Sequence, residues 1–555
     1  MSSALFEHPE KTSYVNGAWV PASSGKLFEC LNPANGKSIG SVPDMDSKDT
    51  EVALTAAAEA FKTWQKTTAK ERGILLRKWF DILEQKKDTL AKIITLEAGK
   101  PTAESLGEVA YGNAFVDWFS EEARRINGEV IPSPVKEKQM ILVKQPIGVV
   151  SLITPWNFPY AMITRKAGAA LAAGCTCVIK PAEDTPFTAL ALAHYAHQAG
   201  IPKGVLNVVT CNRSNAPQIG RTLATSPIVA GLSFTGSTEV GKLLYEQCSA
   251  GVKRIGLELG GNAPFIVFEN ADLNVAVNGA IPARFRNCGQ TCISANRFLI
   301  HEAVFDKFVD MFAEKIKKLV VGDGSQSEVN VGPLINKAQF TKVSRILTDA
   351  KEKGAKIVCG GKPAPQHGEL FFEPTLMTGI TPEMACYSEE IFGPLAICIP
   401  FKTEDEAVTI ANSTRRGLAG YFYTSDISQA WRVARDLEVG MVGINESLIS
   451  SAEAAFGGVK ESGLGREGSS HGIEEYVYIK YVLEECAINI YLDGETTKPR
   501  ISFAVKIYAH ILFFLSRPNQ YHSLKFSQNF LRTKRKNHRN FKTGRQVVFH
   551  LKNKV

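Results

Sequence analysis

Short, wholly apolar runs alternate with longer stretches of helical periodicity through the first half of the chain. Glu51–Gln65 is an alanine-rich helical run. Ile147–Ile153 (IGVVSLI) is apolar without interruption, rich in β-branched residues, and ended by Thr154-Pro155. Ala161–Ala173 reads as helix, Cys175–Lys180 as strand, Ala189–Gly200 as helix with a glycine stop, and Val205–Val209 as strand. Ile228–Phe234 is a further strand that runs into a turn and helix over Gly236–Cys248. Strands buried on both faces lose the polar alternation of half-exposed ones. With helices of about 10–15 residues between them, they predict βαβ units and a largely parallel sheet. The second half repeats the theme with Phe265–Phe268, Phe298–His301 and an amphipathic helix at Phe305–Leu319. Between Glu122 and Lys144 the alternation breaks, and this segment reads as an excursion from the sheet. The expected fold class is α/β.

Length and charge refine that picture. A chain of 555 residues has room for two or three domains. The formal charge is +8, yet fourteen Lys or Arg and no acidic residue lie between Thr496 and Val555, so the rest carries a net −6. The body therefore gives no reason to expect a nucleic-acid partner. Within the tail, Ile501–Leu515 is apolar but short and interrupted by Lys506 and His510, too little for a membrane span. From Lys525 onward the chain is basic, Asn-rich and aperiodic, which predicts disorder. Residues 493–555 thus read as a basic extension, either an appendage without function or a membrane-surface contact. The eleven cysteines form neither a disulfide framework nor a zinc-ligand pattern, so free thiols, a reducing compartment and no metal are expected. Met1–Pro21 has no Arg and no apolar core, which predicts a cytoplasmic protein.

Several stretches carry candidate chemistry. Cys292 sits in FRNCGQTCISANR, where Gly289 and Gln290 favour a turn and Arg286 and Asn287 place donors and positive charge nearby. Such surroundings lower a thiol pKa and expose the sulfur, although a cysteine is as readily a small buried hydrophobe. Glu258, in LELGGNAP, ends a strand; buried there its pKa would rise toward general-base duty, and exposed it would be an ordinary strand-end charge. In TPWNFP two prolines fix the backbone around Asn157, either as a held donor or as a rigid turn around a structural Trp156. FTGSTEVG, Phe234–Gly241, follows a strand and opens a helix, where backbone N–H groups can receive a phosphate, although it lacks the G-x-G-x-x-G fingerprint. Lys180 and Glu183 in KPAED could bind ribose hydroxyls or simply be surface charges.

TPWNFP, KPAED, FTGSTEVG, LELGGNAP, GQTC, EEIFGP (Glu389–Pro394) and FGGVKESGLGRE (Phe456–Glu467) occur in this order. Together they resemble the aldehyde dehydrogenase superfamily over about Tyr14–Ala487. The resemblance implies a Rossmann-like cofactor domain over 1–124 and 147–257, a second α/β catalytic domain over 258–474, and small oligomerisation strands over 125–146 and 475–492. It implies Cys292 as the nucleophile that forms a thiohemiacetal and then a thioester, with the oxyanion held by Asn157 and the Cys292 backbone N–H. Glu258 would activate the hydrolytic water. Thr154, Trp156, Lys180, Glu183, Gly236, Ser237, Glu390 and Phe392 would bind a nicotinamide dinucleotide. Glu183 at the adenosine ribose favours NAD, with NADP possible. A homodimer or homotetramer is implied.

The segment AMITRKAGAALAAGCT, the FRN before GQTC, and NESLISS before FGG resemble the succinate-semialdehyde dehydrogenase branch. That implies oxidation of succinate semialdehyde in 4-aminobutyrate breakdown, with Arg165, Arg286 and Ser450 receiving the substrate carboxylate. A longer ω-oxo acid such as glutarate semialdehyde, or a catalytically silent protein of this fold, are the alternatives. Arginine suits the far end of an anionic aldehyde because its donors are paired and planar. Read alone, Arg165 could equally form a helix-surface salt bridge and Arg286 a cap on the cysteine loop. Three features depart from the pattern. Ser294 replaces the second cysteine that serves some members as a redox latch, Ala455 replaces the usual proline before FGG, and Cys288 lies four residues before the nucleophile.

Overall fold

The computed structural model describes residue 7 and residues 9–485. The basic extension 493–555, its apolar run 501–515 and the expected strand beyond 485 lie outside the described residues. One compact unit holds everything described apart from Ser133–Gln139, Glu484 and Glu485. Ser133–Gln139 is a polar turn in which the Ser133 hydroxyl donates to the Val135 carbonyl at 2.8 Å.

Two sheets organise the main unit. The first has six strands in the order Gly463–Leu464, Arg254–Glu258, Val229–Thr235, Val149–Ile153, Thr176–Lys180, Leu206–Val208. All pairs are parallel except the first. Val149–Ile153 and Thr176–Lys180 are buried throughout, which is why their sequences lack polar alternation. The strand order reverses between Val149–Ile153 and Val229–Thr235. At such a reversal neighbouring loops part and leave a crevice at the carboxyl ends of the strands. The loop Thr154–Tyr160 and the turn Gly236-Ser237 leave from these two ends.

The second sheet has seven strands in the order Lys356–Cys359, Thr375–Thr378, Leu395–Phe401, Ala295–His301, Ala263–Val267, Ala419–Tyr423, Met441–Ile444, again parallel but for the first pair. The chain crosses from one sheet to the other between Glu258 and Ala263. Glu258 therefore stands at the carboxyl edge of the first sheet, and Cys292 lies just ahead of Ala295–His301 at the amino edge of the second. Gly463–Leu464 departs from the expected division at 258–474. It adds an antiparallel edge to the first sheet, pairing with Leu257 and Glu258.

The excursion is a hairpin of Glu129–Ile131 and Lys138–Pro146, and Val477–Glu485 pairs on the other side of the longer strand. The predicted helix at 305–319 ends at Ile316. Periodicity at the sequence level gave no warning of Thr102–Glu122. This long helix buries polar as well as apolar residues, Glu108 and Asn113 among them, so no clean apolar stripe marks it. It starts just after Gly99, whose φ of 74° ends the preceding helix, and a side chain there would strike Pro33 and Pro333 at 2.7 Å. The left-handed turn directs Lys100 into the protein, where it is 2% exposed.

Candidate active site

Lys100 and Glu108 form a fully enclosed ion pair at 2.5 Å. Lys100 Nζ also donates to the Asn157 carbonyl at 2.7 Å and stands 4.0 Å from the Phe158 ring. Glu108 accepts the Tyr160 N–H at 2.8 Å, at the head of helix Ala161–Ala173. The loop carrying Asn157 is thus held by buried charge as well as by its prolines. Asn157 donates one amide hydrogen to the Gln290 carbonyl at 3.1 Å, and its Oδ1 is buried without a partner.

The cysteine loop is held from the other side. Asn287 and Cys288 have left-handed backbones (φ 54° and 56°), followed by Gly289 at 73°. Glycine is required at 289 because a Cβ would lie 2.3 Å from the Gly393 carbonyl. Asn287 Nδ2 donates to the carbonyls of Asn157 (2.9 Å) and Gln290 (3.1 Å), tying the two loops together. Cys288 is 1% exposed and belongs to the core of the second sheet, whereas Cys292 is half-buried. Both sulfurs are free.

A cavity of about 320 Å³ brings together Cys292, Glu258, Asn157, Trp156, Gly236, Ser237, Glu390 and Phe392, together with Thr235 and Arg213. Burial pushes the Cys292 thiol up to about 12; Arg165 and Arg286 oppose that, and the Glu390 and Glu258 carboxylates add to it. Glu258, 4% exposed, is raised well above the usual carboxylate range by burial and by Glu467, and its Oε2 has no partner. Phe392 has a left-handed backbone (φ 55°), held by Gln339 Nε2 donating to its carbonyl at 2.7 Å, and its ring meets Trp156 edge-on at 5.5 Å. Glu390 accepts the Gly261 N–H at 3.0 Å. Ser237 caps helix Thr238–Ser249, so that helix presents its N-terminus to the cavity.

The remaining predicted residues do not line this cavity. Thr154 and Lys180 are buried at adjacent strand ends, where the Thr154 N–H donates to the Lys180 carbonyl at 3.1 Å. Glu183 lines a separate cleft of about 800 Å³ with Asn336 and Arg213, and Arg213 borders both spaces. Arg165 is not on a helix surface. It is 1% exposed, pairs with Glu467, and stacks over Phe456 at 4.5 Å. Burial alone would lower its pKa, but Glu467, Tyr111, Glu258 and Cys292 reverse this, so it stays charged. The Arg286 guanidinium lies over the Phe158 ring at 5.3 Å. Both guanidinium groups act on the Tyr111 hydroxyl and the Cys292 thiol. Ser450 is half-buried in the loop ahead of Phe456.

Sequence reasoning missed Lys100, Glu104, Glu108, Tyr111, Lys166 and Glu467. Glu104, Glu108 and Tyr111 stand at i, i+4 and i+7 on one helical face, and that spacing was the available signal. Glu467 closes the quoted FGGVKESGLGRE stretch. Three cavity-lining residues, Asn157, Thr235 and Glu258, carry buried polar atoms without a protein partner. Such atoms, beside a helix N-terminus and flanking aromatic rings, fit a dinucleotide and a polar substrate.

Comparison with known proteins gives the family. The model of the aldehyde dehydrogenase family matches residues 19–482. Human mitochondrial succinate-semialdehyde dehydrogenase is 55% identical over 471 residues, 85% of this chain and 88% of that one. Glutarate-semialdehyde dehydrogenase of Pseudomonas aeruginosa is 52% identical, over 85% of this chain and 96% of that one. The crystal structure of succinate-semialdehyde dehydrogenase from Burkholderia pseudomallei superposes with a TM-score of 0.85 at 51% identity, covering 87% of this chain and 99% of that one.

A thiol held near 12 has a thiolate fraction that rises about tenfold per pH unit through neutrality. Peptide-resolved alkylation of Cys292 by iodoacetamide, in cofactor-free protein, should accelerate by about that factor from pH 7 to 8 and again from 8 to 9. A plateau before pH 9 would contradict the burial effect.

Proposed function

The chain belongs to the aldehyde dehydrogenase family, and we propose that it oxidises succinate semialdehyde to succinate with NAD as hydride acceptor. The observation that carries the substrate class is the convergence of Arg165 and Arg286 near Cys292. In this reading a short aldehyde bonded at the sulfur would turn its far carboxylate toward the two guanidinium groups, with Ser450 as a further donor. Identity of 55% to succinate-semialdehyde dehydrogenases supports the same reading. Glutarate semialdehyde is the second reading, supported by the 52% identical Pseudomonas relative.

In this reading Cys292 Sγ adds to the aldehyde carbon, and Asn157 Nδ2 with the Cys292 N–H steadies the oxyanion. Glu258 in its ionised form, made a stronger base by burial, takes a proton from the water that releases the acid. Trp156 and Phe392 would flank a nicotinamide ring. Gly236 and Ser237 would face the pyrophosphate, and Thr154, Lys180, Glu183 and Glu390 the rest of the dinucleotide, which supplies the hydride acceptor. Glu183 favours NAD, since a ribose 2′-phosphate would meet a like charge, although Arg213 stands 4.0 Å from it. Exposed apolar side chains on Val477–Glu485, Ile479 (60%), Tyr481 and Leu483 among them, together with Val130, support a homodimer or homotetramer. Ten free cysteines among the described residues support a reducing compartment, taken here as the cytoplasm. No described helix is long and apolar enough to cross a membrane.

Steady-state kinetics test the substrate. Wild type should have its highest kcat/KM with succinate semialdehyde among a series of acidic and neutral aldehydes. Arg165→Ala should lose roughly 10- to 100-fold of the preference for acidic over neutral ones, the worth of a charged hydrogen bond. An unchanged preference would remove the carboxylate assignment, and a higher value with glutarate semialdehyde would favour the second reading. For the cofactor, Glu183→Ser should raise kcat/KM for NADP relative to NAD about tenfold or more, because a like-charge contact is lifted. No gain would show that Glu183 does not discriminate.

A further inference from the structure

Glu104, in the first turn of Thr102–Glu122, is absorbed by none of the roles above. Its Oε2 accepts the backbone N–H of Asn287 at 2.8 Å. Asn287 opens the left-handed run Asn287–Gly289, and its side chain donates both to the Asn157 carbonyl and to the Gln290 carbonyl, the latter shared with Asn157 Nδ2. One carboxylate thus anchors the strained turn that leads into Cys292 and, through it, the loop of the oxyanion donor. Residues held in left-handed backbones persist only where surrounding contacts over-determine them.

We propose that Glu104 is a positioning residue for the reaction: by holding the Asn287 N–H it sets the Asn287–Gly289 turn and hence the relative placement of Cys292 and Asn157. This rests on the reading of Cys292 as nucleophile and Asn157 as oxyanion donor. The charged and titratable groups that face Glu104 are Lys100 from the preceding turn, Glu108 on its own helix, and Arg286 and Cys288 from the anchored turn. Burial raises the Glu104 carboxyl to about 7; Lys100, the Asn287 N–H and Arg286 oppose that, and Glu108 adds to it. The ionised carboxylate is the stronger acceptor, so the anchor weakens as pH falls through that value.

Two variants separate the parts. Glu104→Gln keeps an acceptor oxygen for the N–H but cannot ionise, and Glu104→Ala loses both. With Glu104→Ala, kcat should fall about 100-fold, the cost of an ångström-scale misplacement. The factor should be the same for succinate semialdehyde and for propanal, with KM for the dinucleotide unchanged. Glu104→Gln should lower kcat at pH 8 several-fold, to the level wild type reaches below pH 7 and well above Glu104→Ala, and lose one ionisation near pH 7 from the kcat profile. The propanal arm is independent of carboxylate recognition, so a failure here is distinct from a wrong substrate assignment. Three results would overturn the proposal: a loss confined to KM for the acidic aldehyde, a Glu104→Gln variant as impaired as Glu104→Ala, or a Glu104→Gln profile with the ionisation intact. The last decides the matter even where Glu104→Ala does not fold.

Discussion

Beneath the cavity, Glu467 is enclosed with two cations, Arg165 and Lys166, and the rest of the site depends on that pairing. Burial would raise Glu467, but the two cations outweigh it and keep its carboxylate charged. That fixed negative charge does two things. It keeps Arg165 cationic where solvation is lost, and it pushes Glu258 further from ionisation than burial alone would. Glu258 and Arg165 therefore share one electrostatic source, and both in turn act on the Cys292 thiol. Lys166 Nζ also donates to Ser233 Oγ at 2.9 Å, on the strand Val229–Thr235, which ties the cluster to the first sheet. A buried cluster of this kind contributes little net stability, because desolvation of each charge offsets the attraction. Its placement under the reactive groups makes sense as tuning.

The two sheets supply the frame for this chemistry. The cavity is lined from the carboxyl edge of one and the amino edge of the other: Asn157 and Glu258 come from the first, Cys292 from the second. Neither edge alone brings the Cys292 thiol and the Glu258 carboxyl together. Two loops bridge them by direct hydrogen bonds, Asn157 to Gln290 and Asn287 to Asn157, and each is anchored by an acidic residue of Thr102–Glu122. The helix that sequence periodicity passed over is thus the one that sets both loops.

Much of the architecture was legible because parallel strands leave a strong signature. Val149–Ile153 and Thr176–Lys180 lie within the predicted runs, and the helices between them follow from their glycine stops and periodicity. Gly463–Leu464 was not legible: two residues carry no pattern, and their place at the edge of the first sheet comes from contact across some two hundred residues of chain. Cys292, Glu258 and Asn157 stood out in the sequence because each sits in a turn-forming motif, and the fold brings all three to one cavity. Arg165 was named, but its burial was hidden, since a charged residue in an alanine-rich helix reads as exposed until its partner Glu467 is brought beside it. Lys100, Glu104 and Glu108 drew no reading from the sequence, because their partners are distant in the chain or meet them only in the fold. Their roles exist only once the Asn157 and Asn287 loops are folded over them.

The central claim is that Cys292 carries the acyl group and Glu258 drives its release. The most direct test is peptide mapping by mass spectrometry of the Glu258→Gln protein, quenched in acid after mixing with succinate semialdehyde and NAD. The account predicts a succinyl thioester that accumulates on the peptide containing Cys292, at the sulfur of that residue. Adduct on Cys288 instead, or turnover with none on Cys292, would contradict it.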